Sequence, residues 1–215
     1  MSFDVICFDC DSTLSKVEGI DELAGRVGLG DEMSRLTDAA MNGVVPLEAV
    51  YEQRLSMIRP DRDSINWLAD LYVEQVVDGA KEVFETLLAP QRAKEVHIVS
   101  GGIRQSILPL ARYLGLPETH VHAVDIYFNE DGSYRDYDQD SPLARSGGKA
   151  EICRQLLKPQ SSMVMIGDGK TDMEAKQAGV SVIGFGGVID RPVVRELADF
   201  FSAEPTLMSI LAYIL

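Results

Sequence analysis

Two aspartates, Asp9 and Asp11, stand one residue apart at the end of a short apolar run, in the segment VICFDCDSTLS. Carboxylates so placed can hold a hard cation, attack an electrophile or exchange a proton. Three later segments carry complementary groups. Ser100-Gly101-Gly102 offers a hydroxyl and a flexible turn, SGGKAEI offers Lys149, and GDGKTD offers Asp168 with Asp172 four residues on. Asp9 and Asp168 could supply two oxygens to Mg²⁺, with a backbone carbonyl near Asp11 as a third. The free oxygen of Asp9 could then attack phosphorus, while Asp11 protonates the leaving alcohol and later deprotonates water. Ser100, nearby backbone N–H groups and the charge of Lys149 could hold the transferring phosphoryl oxygens.

Other readings of these motifs fail on spacing. Leu14 occupies the sixth position counted from Asp9, where a calcium-binding EF-hand loop needs glycine. A nucleotide-binding P-loop needs a glycine five residues before Gly169, and Val164 stands there. The run GFGG fails the dinucleotide fingerprint because Ile189 replaces its last glycine.

The elements that must position these residues alternate. Val5–Phe8, Glu95–Ser100, Ser162–Gly169, Val180–Gly186 and Asp199–Ser202 contain apolar runs suited to strands buried on both faces. Amphipathic helical patterns lie between them, for example Val83, Phe84, Leu87 and Leu88. This alternation predicts an α/β fold, a doubly wound and mostly parallel sheet, with ligands at the carboxyl ends of its strands. Residues 16–76 show no strand pattern and read as several helices, punctuated by Gly43, Pro46 and Arg59-Pro60. They are expected to form a small helical cap, with 1–15 and 77–215 as the catalytic core. Two partly alternating stretches around Asp131-Gly132 predict a β-hairpin insertion within Ala123–Asp138.

Composition narrows the function classes. The 215 residues are 46% hydrophobic and 25% charged, as expected of a globular chain. A formal net charge of −14 disfavours nucleic acid and anionic membrane surfaces as partners, while a small anion near a local cation or metal remains compatible. Cys7, Cys10 and Cys153 form no disulfide framework, and the N-terminal segment MSFDV lacks a signal pattern. With no apolar run of spanning length, the expectation is a soluble cytoplasmic protein of open oligomeric state. His97, His120 and His122 lack metal-ligand spacing with a carboxylate and are expected to be structural.

The four chemical segments, in this order, resemble the signature segments of the haloacid dehalogenase superfamily. Further stretches resemble its phosphoserine phosphatase family: DSTLSKVEGIDELA, AMNGVVP, QRL, SGGIRQSI, RSGGK, MIGDGKTDMEA and GFGGVIDRPVV. The resemblance spans nearly the whole chain and implies a Rossmannoid core. It implies Mg²⁺-dependent hydrolysis of L-phosphoserine to L-serine and phosphate through an aspartyl-phosphate, the last step of serine biosynthesis. Another small phosphomonoester, or phosphotransfer to another alcohol, is the alternative.

The resemblance also implies roles. Asp9 is the nucleophile and a metal ligand, and Asp11 the general acid/base with its carbonyl on the metal. Asp168 is a metal ligand, supported by Asp172. Ser100, Gly101, Gly102 and Lys149 bind phosphate. Glu18, Met41 and Arg54 contact the serine part of the substrate, and Thr171 and Arg191 line the site. Cys10, Asn42 and Lys170 depart from the family's usual residues.

Overall fold

A computed structural model describes residues 2–92 and 94–215. The chain runs β1 (Val5–Phe8), α1 (Gly19–Arg26), α2 (Gly30–Met41), α3 (Glu48–Ile58), α4 (Arg62–Glu74) and α5 (Ala80–Leu88). It continues through β2 (Glu95–Ile103), α6 (Arg104–Tyr113), β3 (Val121–Val124), β4 (Ile126–Phe128), β5 (Tyr134–Tyr137) and α7 (Gly148–Leu156). It ends with β6 (Met163–Gly167), α8 (Lys170–Met173), β7 (Ser181–Phe185), α9 (Pro192–Leu197), β8 (Phe200–Ser202) and α10 (Leu211–Ile214).

Six strands form one sheet in the order β3-β2-β1-β6-β7-β8, and every pairing in it is parallel. A parallel sheet covered on both faces needs strands without a polar face. β1 and β6 meet that demand, since each of their residues is buried. β4 and β5 form the separate antiparallel hairpin, turning at Asp131-Gly132. Helices α1 to α4 fall between β1 and β2, as the absence of a strand pattern there predicts. Their apolar faces bury Leu23, Met33, Leu55, Leu68 and Tyr72.

The segment 16–76 leaves and rejoins the sheet through a narrow neck. Ser15 and Val76 form an antiparallel bridge. Lys16 N donates to Gln75 O at 2.8 Å, and Val77 N to Leu14 O at 2.9 Å.

The structure departs from the sequence expectation in two places. β2 does not stop at Ser100. It runs on through both glycines to Ile103, with its register against β3 shifting between Val99 and Ile103. Such an irregularity re-aims backbone groups beside a site. β3 is a sixth sheet strand where only a hairpin was expected, and it occupies one edge. Cys10 lies past the end of β1, in the turn, where it is fully buried. The three histidines meet: His97 stacks on His120 with ring centroids 4.5 Å apart, and its Nδ1 lies 3.1 Å from Nε2 of His122.

Candidate active site

The register of the two central strands brings the first carboxylates together. Phe8 pairs with Ile166, and Asp9 N donates to Ile166 O at 2.8 Å, so Asp9 and Asp168 leave adjacent strand ends. Asp172 reaches the same point by folding back from α8. Its Oδ2 accepts from Gly169 N at 2.9 Å, and a Cβ on Gly167 would overlap its carboxylate. Glycine at the end of β6 is therefore a steric requirement of the site.

Asp9, Asp168 and Asp172 offer carboxylate oxygens that all lie within 4.8 Å of one another. All three residues are buried. Lys149, near the start of α7, bridges two of them: its Nζ is 2.8 Å from Asp9 Oδ1 and 2.5 Å from Asp172 Oδ1. Arg191 NH1 pairs with Asp168 Oδ2, and Thr13 Oγ1 donates to Asp168 Oδ1 at 3.2 Å. Packed, dehydrated carboxylates repel, and hard oxygen donors in this number suit a metal ion. Burial first, then the charge of Asp9 against the opposing pull of Arg191, raises the Asp168 carboxyl to about 7. Burial alone would lower the Lys149 ammonium, but Asp172 and Asp9 outweigh it and raise its pKa.

Asp11 faces another way. Its Oδ1 accepts from Gly19 N and from the Tyr72 hydroxyl, both at 2.7 Å. Burial and the neighbouring Asp9 charge push its pKa up to about 6, against the lowering effect of those two donors. A carboxyl held near that value can both give and take a proton. Ser12, between the aspartates and the cap, takes a left-handed φ of 50° and donates to Glu18 Oε1 at 2.8 Å.

A partly open cavity lies above these strand ends. Its walls include Asp9, Asp11, Ser100, Gly101, Gly102, Lys149, Asp168 and Thr171 from the sheet side. Glu18, Met41 and Arg54 line it from the helical segment. Thus eleven of the thirteen residues singled out by the sequence share one cavity wall. The other two sit behind it: Asp172 is fully buried against Lys149, and Arg191 is buried against Asp168 with its NH2 3.6 Å from Glu18 Oε1. Arg191 is therefore placed to hold Asp168 and Glu18 and does not line the cavity.

Arg54 is buried, and burial lowers the pKa of its guanidinium. NH1 donates to Thr37 Oγ1 at 3.2 Å, and Thr37 in turn donates to Asp21 Oδ1 at 2.6 Å. Arg54 Nε has no hydrogen-bond partner among the described residues. A buried donor without a partner carries a desolvation penalty that an incoming acceptor would relieve.

Sequence reasoning missed Tyr72, Thr37, Tyr51 and Arg145, all of which line the cavity. Tyr72 and Thr37 belong to amphipathic helices, and nothing in an apolar repeat tells where a hydroxyl points. Tyr51 OH donates to Gly101 O at 2.9 Å, which steadies the glycine pair from the helical side.

The chain as a whole is similar to known proteins. A family model described as haloacid dehalogenase-like hydrolase matches residues 3–179, and the chain belongs to that class, as a phosphatase. Within the class the similarity narrows to the phosphoserine phosphatases. The enzyme of that name from Bos taurus is 38% identical over 206 residues, covering 94% of this chain and 90% of its own. A phosphoserine phosphohydrolase-like protein from Francisella tularensis subsp. tularensis SCHU S4 superposes with a TM-score of 0.88 at 26% identity, covering 100% of both chains. A phospho-aspartyl intermediate analogue of phosphoserine phosphatase superposes with a TM-score of 0.83 at 26% identity, again over 100% of both chains. Among the described residues, no helix is long and apolar enough to cross a membrane.

Proposed function

We propose that the chain hydrolyses L-phosphoserine to L-serine and phosphate, with Mg²⁺ as the metal held by Asp9, Asp168, Asp172 and the Asp11 carbonyl. The observation that carries the substrate is Arg54: a buried guanidinium with an unpartnered Nε, lining the same cavity as the carboxylate cluster. A substrate carboxylate is the group such a donor lacks. Glu18 supplies the opposite charge for the substrate ammonium, and Met41 packs beside the serine carbon chain.

The chain's own groups perform the reaction in two steps. An Asp9 oxygen attacks phosphorus while the bond to the serine oxygen breaks, and Asp11 gives that oxygen its proton. Serine leaves, and Asp9 carries the phosphoryl group. Asp11 then takes a proton from water, the resulting hydroxide displaces Asp9, and phosphate departs with the carboxylate regenerated. Ser100 and the N–H groups of Gly101 and Gly102 hold phosphoryl oxygens, Lys149 offsets their charge, and Thr171 completes the wall. The metal, when bound, offsets the negative charge shared by carboxylates and phosphate. The solved phospho-aspartyl analogue of a relative supports the covalent route.

Residues 16–76 act as a cap over a core of 1–15 and 77–215, a division supported by the Ser15–Val76 bridge at its neck. Free, buried Cys7, Cys10 and Cys153 support a reducing compartment such as the cytoplasm. A phosphate-release screen over a panel of small phosphomonoesters, with and without Mg²⁺, tests the reading. Preference for L-phosphoserine is expected. Preference for an ester without an amino-acid group would instead favour another small phosphomonoester.

A further inference from the structure

The C-terminal end of α2 rests on the start of α8 at a seam beside the active site. Two contacts make it, beside an approach of Asp38 Oδ1 on α2 to within 3.7 Å of Arg191 NH2, just ahead of α9. Met41 covers Gly169, where an added Cβ would lie 2.9 Å from its sulfur. Gly43 covers Lys170 so closely that a Cβ there would overlap Lys170 Cδ, and its φ of +72° already favours glycine.

Lys170 does not line the cavity. Its ammonium is engaged by Glu174 Oε1 at 2.7 Å, and Glu174 Oε2 also accepts from Gly147 N at 2.7 Å, beside the start of α7. What Lys170 presents to α2 is therefore its hydrocarbon stem. α2 in turn carries Thr37, which accepts from Arg54. Through this bond α2 is tied to the Arg54 guanidinium, which is carried on α3.

We propose that Lys170 is a positioning residue, a spacer whose stem sets the height of α2, and with it Arg54, above the carboxylate cluster. The proposal rests on the reading of Arg54 as the group that binds the substrate carboxylate. The Lys170 ammonium, engaged by Glu174, takes no part in the spacing.

The test compares Lys170→Ala and Lys170→Met in the full chain, on L-phosphoserine and on p-nitrophenyl phosphate, which has no carboxylate. Lys170→Ala should raise the KM for phosphoserine by about tenfold, from a few methylenes of lost packing. Its kcat, and its KM for p-nitrophenyl phosphate, should stay within about twofold of wild type, since neither depends on gripping a carboxylate. Lys170→Met keeps a stem without the charge and should return the KM to within about twofold of wild type.

Wild-type KM in Lys170→Ala, equal losses on both esters, or a methionine variant as impaired as the alanine one would each overturn the spacer. A wild type inert on phosphoserine but active on other esters would refute the substrate instead. The spacer is then read from hydrogen exchange at the amides of Asn42, Gly43 and Val44, which bond back into α2. Lys170→Ala should speed that exchange and Lys170→Met should not, and unchanged exchange in both would refute it.

Discussion

Removing the Arg54 guanidinium should separate substrate recognition from chemistry. Arg54 is only 5% exposed and forms no ion pair within 4.0 Å among the described residues. Its neighbours are a threonine hydroxyl and the ring of Tyr51, whose centroid lies 5.8 Å from the guanidinium carbon. The side chain is thus a largely desolvated cation whose strongest partner arrives with the substrate. A hydrogen bond to a charged group contributes about 1.5–3 kcal/mol, roughly a 10- to 100-fold change in an equilibrium constant. Arg54→Ala should lower kcat/KM for phosphoserine by about that factor and leave p-nitrophenyl phosphate nearly untouched. Arg54→Lys should recover only part of the loss, because an ammonium lacks the planar fork. Arg54→Met should melt higher than wild type without substrate, since a buried charge lacking a counter-ion is replaced by an apolar side chain of similar length. Steady-state kinetics on both esters and thermal melts check these outcomes. Equal kinetic losses on the two esters, or a methionine variant that melts well below wild type, would refute the role assigned to Arg54.

Other outcomes follow from the same geometry. Asp9→Asn should abolish turnover with circular dichroism unchanged, and a single turnover in ¹⁸O-water should carry the label into the released phosphate and none into the Asp9 carboxylate. Excess chelator should remove activity and Mg²⁺ restore it, while excess Ca²⁺ should inhibit, because its looser coordination can engage both oxygens of Asp9. Mg²⁺ at about a hundred times its Kd should stabilise the fold by roughly 2.7 kcal/mol in chemical denaturation. Burial lowers the pKa of His97, and burial followed by the charges of His97 and His120 lowers that of His122 to about 4. Both histidines bind protons more readily when unfolded; for His122 the stabilisation is complete above about pH 6.5 and is lost as pH falls toward 4. Urea titrations should show roughly 2 kcal/mol of that loss after discounting for partial exposure, and His122→Asn should flatten the slope.

How much of this could be read from the chain depended on whether a feature was local. Asp9 and Asp168 were legible because each follows an uninterrupted apolar strand, and a parallel sheet places such ends along one edge. The helices between residues 16 and 76 were legible from spacing, since Leu23, Met33, Leu55 and Leu68 each mark a buried face. β3 was hidden because its four residues alternate weakly in burial and abut a stronger hairpin signal. The extension of β2 through Gly101 and Gly102 was hidden because two glycines ordinarily end a strand. The meeting of His97, His120 and His122 depends on the pairing of β2 with β3, which no spacing rule supplies. The same holds for Arg191, whose partner Asp168 lies on another strand end.

The carboxylate cluster also explains why such a site needs so central a position in the fold. Asp9, Asp168 and Asp172 are drawn together with Lys149 and Arg191 as the cations that touch them. Burial raises the pKa of Asp168, Asp172 and nearby Glu18, so the folded chain holds these groups against their tendency to stay hydrated or neutral. That opposition has to be met by contacts elsewhere. The site stands where β1 and β6, buried along their whole length, pair at the centre of the sheet. Edge strands, with one neighbour each, would yield more easily to the same repulsion. The cations also divide the work by position. Lys149 bridges Asp9 and Asp172, Arg191 holds Asp168 from behind, and Arg54 lines the cavity from the helical segment with its Nε unpartnered among the described residues. The two that touch carboxylates keep the cluster assembled, while Arg54, which forms no ion pair among the described residues, keeps its charge available to discriminate between substrates.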